Sequence, residues 1–253
     1  MRAIVYAAGV ARRLGTSSSN RPKVLLEFGG VSLLEQHVAH LCAVDVRTLV
    51  VVTGHLRPLI VRAIEDLRER YPIEIREVFN AEFTEGSALS FHASLPELHG
   101  QTRPVLLMDG DMLYPTVFLE RLISSAHGTV LLVDRQFSTS DDDPVLVPIR
   151  SGRPVDFRKC WKGEADDVGE SIGFFKVDPA DIPLLVEETE KRTSGAGRQD
   201  SYDEVLRAMV LAGRFRHEDV TGLPWTEIDF PEDVERARNE MRRAIEKLAD
   251  RVE

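Results

Sequence analysis

Ala7-Ala8-Gly9 follows directly on the apolar run Ala3 to Tyr6, and two cations come next at fixed distances, Arg13 and Lys23. Small residues at such a turn leave the backbone bare, so consecutive N–H groups can point at phosphate oxygens. Cations beside the turn suit a triphosphate, whose charge must be neutralised before a nucleophile approaches. Neither common phosphate loop is present. There is no G-x-x-x-x-G-K-[ST] run, and Ala11 and Leu14 hold the second and third glycine positions of a G-x-G-x-x-G fingerprint that would start at Gly9. A dinucleotide-dependent oxidoreductase is disfavoured.

Carboxylates form the complementary set. Asp109-Gly110-Asp111 follows the apolar stretch Val105 to Met108. The two acids therefore stand at the carboxyl end of a strand, where open parallel sheets bind ligands. Oxygen ligands there suit Mg²⁺, which needs only one or two carboxylates besides substrate phosphates. Alone, the same triplet also reads as an ordinary acidic turn. Glu227 and Asp229 are two apart on an extended stretch, so they share a face. Glu232 and Asp233 read as acids at the start of a closing helix. That explanation does not reach Glu227 and Asp229, which would complete a Mg²⁺ site opposite Asp111.

These groups need a frame. Strands alternate with helices along the chain, which predicts an α/β fold with a mostly parallel sheet covered on both faces. The unbroken run Leu49 to Thr53 is typical of a strand buried on both sides. Helices are expected over 32–43, 57–71, 87–98, 116–125, 182–191 and 202–212, and one long helix from Pro231 to Val252. Further strands are expected over 73–79, 129–134, 145–149, 155–158 and 171–177. Polar Ser140 to Asp143 and the stretch 193–198 read as loops.

At 253 residues the chain suits one α/β domain spanning 1–253, with a small β lobe within 138–176. A net charge of -10 with no basic stripe argues against a nucleic-acid partner. Two cysteines, Cys42 and Cys160, make neither a disulfide framework nor a metal motif. No apolar run approaches the roughly 18 residues that span a membrane, and the opening strand does not read as a signal peptide. The expectation is a cytoplasmic protein without a membrane partner. The seven histidines show no ligand spacing and no nucleophile partner.

The string A-A-G-x-(G/A)-x-R-(L/M)…P-K-x-L-L resembles the signature of nucleotidyltransferases with the Rossmann-like, glycosyltransferase-A type of fold. It is matched at Ala7, Ala8, Gly9, Arg13, Pro22, Lys23 and Leu25. Downstream, W-x-E-I-D-x-P-E-D-x-x-x-A, from Trp225 to Ala237, resembles the branch of phosphocholine, inositol-phosphate and phosphonate cytidylyltransferases. The resemblance implies Mg²⁺ as cofactor, with Asp111 as its aspartate and Glu227 and Asp229 completing the set. It implies a supporting, nucleotide-side role for Asp109, and catalytic roles for Arg13 and Lys23 on the phosphates.

Further matches are looser. Glu85-Gly86-Ser87-Ala88 resembles the turn by which the wider superfamily touches the nucleobase, with Gly86 and Ser87 as the contacting residues. Around it Phe83 and Ser87 stand where the branch more often has Tyr and Asn, whereas Asn80 matches. Gly169-Glu170-Ser171-Ile172-Gly173 resembles a family strand whose acid, Glu170, faces ribose or acceptor. Lys159 or Lys162 would meet the acceptor phosphate, and Trp161, Phe174, Tyr202 and Trp225 are candidates for a quaternary-ammonium cage.

The implied reaction joins CTP to a small phosphorylated or phosphonylated alcohol and releases pyrophosphate. A sugar-1-phosphate nucleotidyltransferase using UTP, GTP or dTTP and an inactive nucleotide-binding regulatory subunit are the alternatives. The amphipathic closing helix would suit a homodimer.

Overall fold

The computed structural model describes residues 1–17, 21–137, 144–194 and 198–249. The loop expected at Ser140 to Asp143 lies outside them, as does the middle of the loop 193–198. Among the described residues the chain has a mostly parallel central sheet of nine strands flanked by helices. Its internal contacts divide it into two compact units. One comprises Met1–Thr84, Met108–Glu120 and Leu223–Glu253, the other Glu85–Leu107 and Arg121–Gly222. Among the described residues no helix is long and apolar enough to cross a membrane.

In the first unit the strands Arg2–Ala7, Thr48–Thr53 and Glu74–Phe79 pair in parallel, Val5 opposite Val51 and Val51 opposite Glu77. Leu49 to Val52 are fully buried, as the unbroken apolar run requires. Helix Leu33–Ala43 starts where Ser32 accepts the Glu35 N–H at 3.1 Å. Helix Arg57–Arg70 covers the neighbouring strand with Ile60, Ile64 and Leu67.

A second apolar cluster, among them Leu14, Phe28, Leu113, Ile228 and Ala237, ties the loops of this unit together. Met241 and Ile245 also pack on it. The closing segment differs from the single long helix expected. It runs as Pro231–Arg236, a wide π-type turn over Ala237–Met241, and Arg242–Ala249. Ala237, Met241 and Ile245 are four apart, a spacing that drifts around an ordinary helix; the wide turn offsets part of that drift and keeps them on the core.

In the second unit the long strand Asp167–Val177 runs antiparallel to Val130–Asp134 and to Leu146–Arg150. Arg216–Asp219 pairs in parallel with Val130–Asp134. The register shifts between Ser171 and Phe175, and Gly173 takes φ +72 there, the left-handed conformation that a bulge asks of glycine. The strand expected over 155–158 is instead the pair Arg153–Pro154 against Leu146–Arg150, with Arg158 making only an isolated bridge to Leu146. Phe157, Phe175 and Phe215 meet edge to face at about 6 Å in this unit's core. Phe174, next to Phe175 on the strand, is also fully buried. Tyr202 stacks on Phe91 at 5.0 Å. Both rings take part in packing.

Candidate active site

The turn after Arg2–Ala7 is open. A side chain added at Gly9 would meet nothing within 4 Å, and Ala11 takes φ +54 to start the 3₁₀ turn Arg12–Ser17. The Ala8 carbonyl accepts the His55 N–H at 3.1 Å, which anchors the turn to the end of the adjacent strand.

Two short strands bring the carboxylates together. Met112–Leu113 pairs antiparallel with Thr226–Glu227, and the Ile228 N–H donates to the Asp111 carbonyl at 3.0 Å. Thr226 and Ile228 are buried, so the alternation of an extended chain turns Glu227 and Asp229 to the other face. One carboxylate oxygen from each of Asp111, Glu227 and Asp229 lies within 4.8 Å of the other two. Asp233, at the start of the closing helix, accepts the N–H of Asp229 at 3.0 Å and that of Phe230 at 2.8 Å. It thereby fixes the backbone on which the Asp229 carboxylate stands.

Cations converge on this group. Lys23 Nζ lies 3.0 Å from Asp111 Oδ2 and also bonds Asp229 Oδ1. Arg13 Nη1 reaches Asp229 Oδ2 at 3.0 Å, with its guanidinium over the Phe230 ring. Burial alone would lower the Lys23 pKa, but Asp111 and Asp229 outweigh it and hold the ammonium well above its ordinary value. Burial works to raise Asp229, and Lys23 and Arg13 overcome it, leaving that carboxylate below its usual range.

Glu227 behaves oppositely. Protein crowds its carboxyl although the residue as a whole is exposed. Loss of hydration, followed by the charges of Asp111, Asp229 and Asp109, pushes it well above the ordinary glutamate value. A carboxylate held among like charges is one that a divalent cation relieves. The donor set is all oxygen and hard, which fits Mg²⁺ better than a thiophilic metal.

Residues 3–217 match the MobA-like NTP transferase domain. The chain belongs to that family. It is accordingly a nucleotidyltransferase domain, and Glu227 and Asp229 lie beyond the matched stretch. Among its relatives is the CMP-5'-(3-aminopropyl)phosphonate synthase of Streptomyces rubellomurinus, 30% identical over 94% of this chain and 38% of that protein. Another is the bifunctional IPC transferase and DIPP synthase of Thermococcus kodakarensis, 28% identical over 94% of this chain and 50% of that protein. The chain thus spans half or less of the length of these two relatives. The inositol-1-phosphate CTP transferase structure from T. maritima shares the fold, with a TM-score of 0.77, 24% identity and coverage of 98% of this chain and 96% of that one.

Within this family member, Ala7, Ala8, Gly9, Arg13, Lys23, Asp109, Asp111, Glu227 and Asp229 all fall in the first unit, and Gly86, Ser87, Lys159 and Glu170 in the second. The Glu85 to Ala88 turn has close company from its own unit. Gly86 N–H donates to the Arg198 carbonyl at 2.9 Å and Ala88 N–H to the Asp200 carbonyl at 3.1 Å. Ser87 Oγ accepts the Tyr202 N–H at 3.0 Å. A side chain at Gly86 would overlap the Asp200 carbonyl. A base reading these amides must first displace the segment Arg198 to Tyr202. Glu170 is half-buried opposite Asp134 and Leu146, and Lys159 is exposed.

Sequence reasoning did not read the parts played by three residues near the carboxylates. Asp233 was legible as an acid at the third helical position, where it caps rather than decorates. His37 lies one turn from Leu33 and from Leu41, a spacing that could have put it on the buried face. Its partner Tyr114 follows the short strand Met112–Leu113, which carried no signal of its own.

Proposed function

We propose that this chain transfers CMP from CTP to a small phosphorylated or phosphonylated alcohol. The observation that carries the reading is the convergence of Lys23 and Arg13 on Asp111, Glu227 and Asp229. The choice of cytidine rests on the relatives, whose names record CMP or CTP chemistry on phosphonate and inositol phosphate.

An oxygen of the acceptor phosphate or phosphonate attacks the α-phosphorus of CTP. That P–O bond forms as the bond to the β-phosphate oxygen breaks, and pyrophosphate leaves with the electron pair. No covalent enzyme intermediate is needed, so the protein contributes positioning and charge neutralisation. Asp111, Glu227 and Asp229 would hold Mg²⁺, which when bound supplies charge neutralisation of the nucleotide phosphates.

Lys23 and Arg13 are the counter-ions of Asp111 and Asp229 in this arrangement. With those carboxylates holding a divalent cation, the two side chains would be free to meet phosphate oxygens. Arg13 then holds the leaving pyrophosphate, and Lys23 bridges the α-phosphate and the attacking group, opposing their mutual repulsion. The open backbone at Ala7, Ala8 and Gly9 receives the remaining phosphate oxygens. Asp109 assists from the nucleotide side. Glu170 and Lys159 are assigned to the acceptor.

Pyrophosphate release with Mg²⁺, crossing four NTPs with phosphocholine, inositol phosphate, 2-aminoethylphosphonate and hexose-1-phosphates, tests the reading. Turnover with CTP and a non-sugar acceptor is the expected result. Turnover only with a hexose-1-phosphate and another NTP would overturn the branch while keeping the chemistry.

A further inference from the structure

His37 is fully buried on helix Leu33–Ala43, among Leu33, Leu34, Val38 and Leu41. A polar ring in such a place needs partners. Its Nδ1 lies 3.0 Å from the Tyr114 hydroxyl and its Nε2 3.4 Å from the Gly110 carbonyl. Burial, and then the neighbouring His40, push its pKa down to about 3, so the ring is neutral. A neutral imidazole offers one donor and one acceptor. The Gly110 carbonyl can only accept, which assigns the proton to Nε2 and leaves Nδ1 to accept from the Tyr114 O–H. The tyrosine is steadied in turn by His40, edge-on at 4.8 Å, and by Phe118 at 6.0 Å.

The contacts fall on consecutive peptides of the turn. The peptide joining Asp109 to Gly110 gives its N–H to the Tyr6 carbonyl at 3.1 Å. The peptide joining Gly110 to Asp111 has its carbonyl beside His37 Nε2. The peptide after Asp111 takes the Ile228 N–H on its carbonyl. Both peptides that bound Asp111 are therefore held, and with them the direction of its Cα–Cβ bond. Gly110 permits the close approach, since a side chain there would sit 2.7 Å from the Tyr6 carbonyl. At 3.4 Å the histidine contact is long, so its contribution lies in orientation more than in bond strength. A neutral donor also adds no positive charge to compete with a cation in front of the turn.

We propose that His37 and Tyr114 are positioning residues for the metal-binding turn, setting from behind the peptide that aims the Asp111 carboxylate. The proposal rests on the reading of Asp111 as a metal ligand. Outer partners of ligands typically contribute about 10- to 100-fold in metal affinity. His37 acts one peptide removed, so His37→Leu should lose about 10-fold, the lower end of that range.

The test is Mn²⁺ binding followed by electron paramagnetic resonance, with and without CTP, alongside the Mg²⁺ dependence of turnover. The proteins compared are wild type, His37→Leu, His37→Gln, Tyr114→Phe and Asp111→Asn, each checked for folding by circular dichroism and Tm. His37→Leu and Tyr114→Phe should weaken Mn²⁺ binding and raise the half-saturating Mg²⁺ more than they lower kcat. His37→Gln, which keeps a donor near the Nε2 position, should recover most of the affinity. Should His37→Leu fail to fold, Tyr114→Phe decides. Wild-type Mn²⁺ affinity in a folded His37→Leu or Tyr114→Phe overturns the positioning role and leaves the metal site standing. Absence of Mn²⁺ binding in the wild type, or equal binding by Asp111→Asn, overturns the metal reading and the positioning role with it.

Discussion

The carboxylate site of the first unit and the Glu85 to Ala88 turn of the second were read from the same kind of signal, a short motif at a strand's end, yet they are built differently. In the first, Lys23 and Arg13 are held by the very carboxylates that a metal would claim, so the partners are exchangeable. In the second, Gly86, Ser87 and Ala88 are matched by backbone of their own unit, by Arg198, Asp200 and Tyr202. Charged groups that satisfy one another are poised to take a charged ligand. Backbone donors already matched by backbone are poised to hold a fold.

Substitutions can break that contrast. Lys23→Ala should lower turnover at least about 100-fold, comparable to losing one donor at an oxyanion site, while the second unit's folding is untouched. Near-wild-type turnover would remove Lys23 from the mechanism. Gly86→Ala should act on stability instead. The overlap with the Asp200 carbonyl resembles overpacking, which costs about 1–3 kcal/mol, and denaturant unfolding measures it. A stable Gly86→Ala with lost CTP affinity would show that the turn meets the nucleotide more than the segment beside it.

Glu227→Gln probes the carboxylate site through its like charges. The folded protein holds the Glu227 proton more tightly than the unfolded chain does. This group's contribution to metal-free stability therefore falls as pH rises past its unfolded value. Removing the charge should raise metal-free stability at neutral pH, by less than about 1 kcal/mol because the residue is exposed, and weaken Mg²⁺ activation at least about 10-fold, no less than losing an outer partner of a ligand. By the same sign, the Mg²⁺ requirement of the wild type should grow as pH falls and the proton competes for Glu227. Asp229 works the opposite way: its ion-paired form stabilises above the unfolded value and that stability is lost as pH falls through the lowered folded one. The smallest effect is expected for Ser87→Ala, which removes the acceptor of the Tyr202 N–H and should cost about 0.5–1.5 kcal/mol with turnover retained.

Much of the first unit was legible because its signals are local and chemical. The run Leu49 to Thr53 could only be a strand buried on both faces, and Glu227 and Asp229 share a face because extended chains alternate. The pairing of Met112–Leu113 with Thr226–Glu227 was not legible, since two-residue strands carry no periodicity and their register depends on contacts more than a hundred residues apart. The same holds for the segment Arg198 to Tyr202 against Gly86. The glycine announced that something comes close, and only the fold shows that it is the protein's own backbone. In the closing segment, Arg- and Glu-rich helical spacing predicted continuity, and packing of Ala237, Met241 and Ile245 introduced the wide turn.

In the proposed function, Asp111, Glu227 and Asp229 hold a divalent cation through which this unit takes up a nucleoside triphosphate. Isothermal titration of CTP into the wild type and into Asp111→Asn, with Mg²⁺ and with EDTA, tests it most directly. CTP binding should require Mg²⁺ and be lost in Asp111→Asn. CTP binding of equal strength in EDTA, or in Asp111→Asn with Mg²⁺, would contradict it.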